Sequence, residues 1–412
     1  MNLVFVIPHF APDIAPTGEV MTKIVSELAR RGHRIEVVTS LPWYRSHAVE
    51  PGFAGRLVRR EDQPWGTVTR IHPFPAEDKR SLVRRGLAFV GFSTLAAIHG
   101  SKGPDADAVL ALSPPLTLGL AGWAIARARN APLVFNIQDV FPDIAVELGA
   151  MKDGRIVAAA RRLERFLYAR SSAVTVLSED LRRNVESKVE DASKVRVIPN
   201  FVDTETITPR RRDNSYRREF GLSKKTVIMY AGNVGLSQPI ELIATAASAL
   251  TDESGVVFVV NGGGAGWGAL ERAVAGLSNV VLVPSQPAAR LPEVLAAADI
   301  HLVLLRKGLG HLSVPSKTYS ILAAGRPLIA AVDHGTEVQR VVETSGAGVA
   351  VPPEDPEALV KAIRSLLNDA NQTKGMGRRA RAWIEEWPAP ADVASAYEEL
   401  FTELMLAMHP RS

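Results

Sequence analysis

The chain has no cysteine, which excludes a disulfide framework, a thiolate metal site and a cysteine nucleophile. Aromatic residues make up only 6% of it and are not interleaved with the basic ones. No nucleic-acid-binding module is present, so no nucleic acid is expected as a partner. Long apolar runs are also missing. The longest mostly apolar stretch, Gly86 to Ile98, falls short of the ~20 residues of a spanning helix. The opening residues Met1-Asn2-Leu3-Val4-Phe5-Val6-Ile7-Pro8 lack the basic region and cleavage site of a signal peptide and read as a first strand. Gly-x-Gly-x-x-Gly and a Walker lysine are absent as well, which removes support for dinucleotide and P-loop chemistry. The nine histidines form no cluster, and no metal is expected.

What is present is ordinary globular composition, with 46% hydrophobic and 22% charged residues in 412, enough for two or three domains at roughly 150 residues each. The net charge of +4 is unevenly spread. Residues 1–200 carry 27 Lys and Arg against 21 Asp and Glu, whereas residues 201–412 carry 21 against 23. A basic first half suits an anionic substrate or lipid surface, or is simply a solvated arginine-rich face.

Apolar runs of five to eight residues alternate with amphipathic stretches through most of the chain. Strands are expected at Leu3–Pro8, Arg34–Thr39, Thr67–His72, Ala108–Leu112, Leu133–Gln138, Ala173–Leu177 and Val195–Pro199. A second series follows at Thr226–Ala231, Gly255–Asn261, Asn279–Pro284, Asp299–Leu305, Pro327–Val332 and Gly348–Val351. Most are apolar without alternation, as in strands covered on both faces. Helices are expected at Glu19–Arg31, Thr117–Arg129, Arg155–Arg170 and from Pro388 to Met408. The pattern breaks between Asp203 and Lys225, a polar, basic stretch that reads as a linker or surface excursion. Alternation of this kind predicts an α/β protein of two Rossmann-like, doubly wound parallel-sheet domains facing a cleft. The expected division is 1–200, 201–385, and a final helical segment 386–412 crossing back to the first domain.

Chemistry-bearing residues concentrate at the strand–helix junctions. Gly18 stands just before a helix N-terminus, where a phosphate can approach backbone N–H groups. Gly232, Asn233 and Gln238 lie in the loop after a strand of the second half, and Gly263 ends the next strand. Two such glycine-rich loops make a wall for a diphosphate, or are merely tight turns. The most specific segment is Val314-Pro315-Ser316-Lys317-Thr318-Tyr319-Ser320, running on to Ala323-Ala324-Gly325-Arg326-Pro327. Ser316 and Thr318 stand at a helix start beside the mobile charge of Lys317.

This segment resembles the donor-site signature of the family 4 retaining glycosyltransferases of GT-B fold, in the branch that builds colanic-acid-like and O-antigen-like polysaccharides. Further matches span the chain: Leu28-Ala29-Arg30-Arg31-Gly32-His33, Gln138-Asp139-Val140-Phe141-Pro142-Asp143, Val197-Ile198-Pro199-Asn200-Phe201-Val202-Asp203, and Ala297-Ala298-Asp299-Ile300-His301. The resemblance implies transfer of a hexosyl or N-acetylhexosaminyl group from a UDP- or GDP-linked donor with retention of configuration. It implies a lipid-linked saccharide or glycolipid acceptor, and no cofactor beyond the donor. Pro315, Ser316, Lys317, Thr318, Ser320, Gly18, Gly232, Asn233, Gln238, Gly263 and Arg306 become candidates for holding the donor. Lys317 and Asp139 become the candidates for catalysis, the former neutralising the departing diphosphate and the latter orienting a hydroxyl or acting as a local base.

The chain departs from the family pattern at several positions. Leu312 and Ser320 occupy the places of two glutamates common in relatives. Asn233 and Gln238 stand where many place a phosphate-binding Arg and Lys, leaving Lys317, with Arg306, to supply charge. Gln138 replaces a histidine. Two other readings stay open: a GT-B nucleotide-sugar epimerase, and a degenerate transferase serving as a binding subunit. The segment from Lys79 to Phe92, with Lys79, Arg80, Arg84 and Arg85 beside an apolar run, suits peripheral contact with an anionic membrane, or a buried helix with a basic flank. The expected location is cytoplasmic, on the inner face of the membrane.

Overall fold

The computed structural model describes residues 1–44, 48–75 and 82–408. It divides into two compact units, Met1–Phe201 with Pro390–Ser412, and Val202–Ala389.

The first unit is built on an eight-stranded sheet of order β3-β4-β2-β1-β5-β6-β7-β8. Its strands are β1 (Asn2–Val6), β2 (Arg34–Ser40), β3 (Val58–Gln63), β4 (Gly66–Ile71), β5 (Ala108–Ser113), β6 (Leu133–Ile137), β7 (Ala173–Val176) and β8 (Val195–Val197). Every pairing is parallel except β3 with β4. β3, Val-Arg-Arg-Glu-Asp-Gln, is a correction to the sequence reading, which placed no strand there. An edge strand needs no apolar face, and its charges pair locally: Arg70 Nε donates to Glu61 at 2.9 Å and Arg59 lies 3.0 Å from the same carboxylate. The helix Pro16–Arg30 carries Pro at its start, Glu19 in its first turn and Arg30 in its last, all favourable for the helix dipole. It buries Met21, Ile24, Val25 and Leu28 on Leu3, Phe5 and Val37 of the sheet. The final helix, Pro390–Met408, packs into this same core through Val393, Tyr397 and Phe401. The rings of Phe5 and Phe401 meet edge to face at 6.3 Å.

The second unit is a six-stranded parallel sheet of order β11-β10-β9-β12-β13-β14. Its strands are β9 (Thr226–Asn233), β10 (Val256–Gly263), β11 (Val280–Pro284), β12 (Ile300–Leu304), β13 (Leu328–Ala331) and β14 (Gly348–Val351). Numbered within the unit, this is the doubly wound order 3-2-1-4-5-6, whose topological switch point lies between β9 and β12.

The polar stretch Asp203–Lys225 opens the second unit and is only in part a surface excursion, since residues 209–213 are exposed and irregular. Its middle folds into the helix Ser215–Glu219, capped by the Asn214 side chain accepting from Arg217 N at 3.1 Å. Tyr216 and Arg217 are buried. The Arg217 guanidinium donates to Ala297 O at 2.7 Å and Lys225 O at 2.9 Å, and pairs with Asp299. A buried arginine whose donors are met by carbonyls and a carboxylate reads in sequence as solvated charge, because composition does not reveal partners.

Candidate functional site

Ligands of doubly wound sheets sit outside the carboxyl ends of the strands at the switch point. In the second unit this is where β9 and β12 run into their loops, and Lys317 meets β9 there. Lys317 opens the helix Lys317–Ala323, which follows the loop after β12. Its Nζ donates to the Tyr230 hydroxyl at 2.6 Å and lies 3.8 Å from the centroid of that ring. Tyr230 in turn donates to Asn233 O at 2.5 Å. Among the described residues no carboxylate pairs with Lys317. Burial without a counter-charge pushes its ammonium down to about 7, and burial pushes the Tyr230 phenol up.

Gly232 makes the approach possible. It takes φ 134°, open to glycine, and a Cβ there would stand 3.0 Å from Lys317 Nζ. Tyr230 and Gly232 point to one face of β9 by the period of two, so the lysine touches both. Sequence reasoning named Gly232 and Lys317 but missed Tyr230, although that period-two relation was the available signal. Beside Lys317, Thr318 Oγ1 is fully buried with no hydrogen-bond partner among the described residues. Pro315 and Ser320 are half-buried and Ser316 is exposed. Leu312 is buried in the unit's interior, as an apolar residue in a glutamate's place would be.

The other candidates of this unit form the surrounding loop. Gly263 pairs in register with Asn233, and Val234 N donates to Gly263 O at 2.8 Å. A Cβ on Gly264 would clash with Asn233 Oδ1, so the Asn233 amide fills the space between the two glycine loops. Gln238 folds back, accepting from Gly235 N at 3.0 Å and donating to Ser237 Oγ at 3.0 Å. Arg306 is not free to supply the charge expected of it. Its guanidinium donates to Glu241 at 2.8 Å, Glu354 at 2.9 Å and Leu236 O at 2.9 Å. It braces the loop instead, and Lys317 remains the cation at the switch point.

In the first unit Gly18 lies within the first turn of the helix Pro16–Arg30, buried against His9, where a Cβ would stand 2.9 Å from His9 Cβ. Asp139 follows β6 at its carboxyl end and is half-buried. Its neighbour Gln138 belongs to a buried polar chain. Asn200 donates to Gln138 at 2.9 Å, Gln138 to Asn136 at 2.7 Å, and Asn136 to Thr175 at 3.0 Å and Tyr397 at 2.8 Å. That chain ties β6 and β7 to the final helix, a role sequence did not disclose. Lys79, Arg80 and the side chains of Arg84 and Arg85 lie outside the described residues. Among the described residues no group of three His, Asp or Glu side chains could hold a metal ion, and no helix is long and apolar enough to cross a membrane.

Comparison with known proteins agrees with this architecture. The Glycosyl transferase 4-like domain family matches residues 17–200, and the Glycosyl transferases group 1 family matches residues 225–369. The chain is 28% identical over 371 residues to the Escherichia coli K12 protein named colanic acid biosynthesis glycosyl transferase WcaI, covering 87% of this chain and 90% of that one. It is 29% identical over 297 residues to the Pseudomonas aeruginosa protein named glycosyltransferase WbjE, covering 71% and 74%. Among solved structures, Anabaena HepE in complex with UDP-glucose superposes with a TM-score of 0.72 at 15% identity, covering 98% of this chain and 100% of that one. The chain belongs to the family 4 glycosyltransferases of GT-B fold, in the colanic-acid and O-antigen branch that serves cell-envelope glycan biosynthesis.

Proposed function

We propose that the protein transfers a hexosyl or N-acetylhexosaminyl group from a UDP- or GDP-linked donor to a lipid-linked saccharide or glycolipid, with retention of anomeric configuration and without a metal cofactor. One observation carries the donor reading. Lys317 is a desolvated cation at the β9–β12 switch point whose partner among the described residues is a phenol and not a carboxylate. A half-buried ammonium with no counter-charge among the described residues is costly, and a diphosphate is the anion that would relieve it. The buried Thr318 hydroxyl, without a partner among the described residues, is a further polar group beside it. HepE, of the same fold, is solved with UDP-glucose.

The reaction needs charge stabilisation on the leaving group more than a strong base. The glycosyl C–O bond to the diphosphate breaks, its electron pair leaves with the phosphate, and the ammonium of Lys317 meets the growing charge. The acceptor hydroxyl, oriented by Asp139, bonds to the anomeric carbon from the same face while its proton passes to the departing phosphate oxygen. The acceptor reading draws support from the helix Leu82–Gly100, which exposes Leu87 at 67%, Val90 at 50% and Ile98 at 49%. Such an apolar face suits peripheral contact with an anionic bilayer. A thermal-shift panel of UDP-, GDP- and dTDP-sugars tests the donor, since binding stabilises by RT ln(1 + [L]/Kd). One nucleotide series should raise the midpoint, and a flat response across the panel would contradict the reading. Co-sedimentation with anionic liposomes at low and high salt tests the membrane contact, which fails if the chain stays in the supernatant at both.

A further inference from the structure

We infer that His9, Asp13, Trp43 and Tyr44, at the carboxyl ends of β1 and β2, form a subsite that holds a pyranose ring of the acceptor. The inference rests on the transferase reading above and adds where, and by which side chains, the acceptor sugar is gripped. β1 is an inner strand of its sheet, paired with β2 on one side and β5 on the other. The loops leaving the carboxyl ends of β1 and β2 are joined by a single carboxylate. Asp13 is 2% exposed. Its Oδ1 accepts from Tyr44 N at 3.0 Å and Trp43 N at 3.3 Å, and its Oδ2 takes the Nδ1 hydrogen of His9 at 2.7 Å.

A buried carboxylate that receives three N–H groups fixes both loops and the orientation of the imidazole. With Nδ1 committed, Nε2 is the ring nitrogen left to His9, and it makes no hydrogen bond among the described residues. The His9 side chain remains 12% exposed. Around it stand two aromatic rings, Tyr44 edge-on at 5.1 Å and Trp43 tilted at 5.9 Å. Tyr44 is 38% exposed.

An aromatic face with one hydrogen-bonding atom at its rim matches a sugar ring, which presents C–H groups on its face and hydroxyls at its edge. The buried negative charge of Asp13 argues against a phosphate at this end of β1. So does Gly18, whose helix start is pressed onto His9 rather than left open to an anion. A neutral, polyhydroxylated ring fits both the charge and the shape of the surroundings.

The test titrates the full chain with octyl glycosides of glucose, galactose, mannose and N-acetylglucosamine, read by saturation-transfer NMR, and measures UDP affinity separately by calorimetry. At least one glycoside should bind saturably. Tyr44→Ala and His9→Ala should each weaken it about tenfold, the size of one lost contact, and His9→Gln should recover most of the His9→Ala loss. UDP affinity should stay the same in all three variants. Absence of saturable binding by every glycoside, a Tyr44→Ala affinity within twofold of wild type, or a glutamine that recovers nothing would overturn the subsite. Failure of wild type to bind any nucleotide would strike the donor reading instead, and the two results are separable.

Discussion

If Lys317 awaits a diphosphate, nucleotide binding must take up a proton at mildly alkaline pH. Desolvation holds the free ammonium down to about 7, so at pH 8 most molecules carry a neutral amine beside Tyr230. An arriving diphosphate raises the amine's affinity for its proton, and the linked equilibrium then draws that proton from solvent. Affinity for UDP, or for GDP if that is the cognate nucleotide, should be highest near pH 7. Above it, affinity should fall toward tenfold per pH unit until the bound-state value is reached. Calorimetry in two buffers of different ionisation enthalpy reads the uptake directly, which should approach one proton per nucleotide at pH 8 to 8.5. Lys317→Met should remove the uptake and weaken binding by about 10- to 100-fold, the equivalent of a charge-assisted hydrogen bond of about 1.5–3 kcal/mol. Working above pH 7 keeps the terminal phosphate, whose own pKa is near 6, fully ionised. Wild type and Lys317→Met with the same proton uptake and the same affinity would refute the assignment.

The same lysine predicts a stability difference in the ligand-free chain. Because its folded value lies below the ordinary 10.5, the unfolded chain binds more protons between about 7 and 10.5, and wild-type stability relative to Lys317→Met should rise with pH across that window. Denaturant titrations at pH 6.5 and 9 check the sign. Gly232→Ala strains a positive φ and pushes a methyl onto the ammonium; it should cost about 1–3 kcal/mol of stability and weaken nucleotide binding, by chemical denaturation and calorimetry. Arg217→Met leaves Asp299 half-buried with fewer partners and should destabilise by about 3–5 kcal/mol, seen as a lowered denaturant midpoint. Arg306→Ala frees the loop Gly235–Pro239 from its brace and should weaken nucleotide binding while Lys317-linked proton uptake persists.

Much of the architecture was legible because buried parallel strands are apolar on both faces. β1 and β5 stand out by their runs of Val, Leu, Phe and Ala, and β6 by Leu133-Val134-Phe135. β3 did not stand out, since an edge strand with charge pairing has no hydrophobic period to read. The Asp203–Lys225 stretch misled for a related reason: Arg217 looks like surface charge until Asp299, 82 residues away, is seen to receive it. At the site, Gly232 and Lys317 were readable from glycine and helix-start chemistry. Tyr230 was hidden as one more apolar strand residue, and the ion pairs of Arg306 were hidden because Glu241 and Glu354 come from distant elements. The Asp13 clip escaped notice because two of its three partners are backbone N–H groups, which have no sequence signature.

The most direct test of the account is transfer itself. The full chain is incubated with UDP- and GDP-sugars labelled in the sugar, together with polyprenyl-linked glycans extracted from an envelope-polysaccharide producer. The account predicts that label from one donor moves into the organic phase in step with release of the nucleoside diphosphate, and that Lys317→Met abolishes both. Label that stays on the nucleotide as an epimerised sugar, or equal transfer by Lys317→Met, would contradict it.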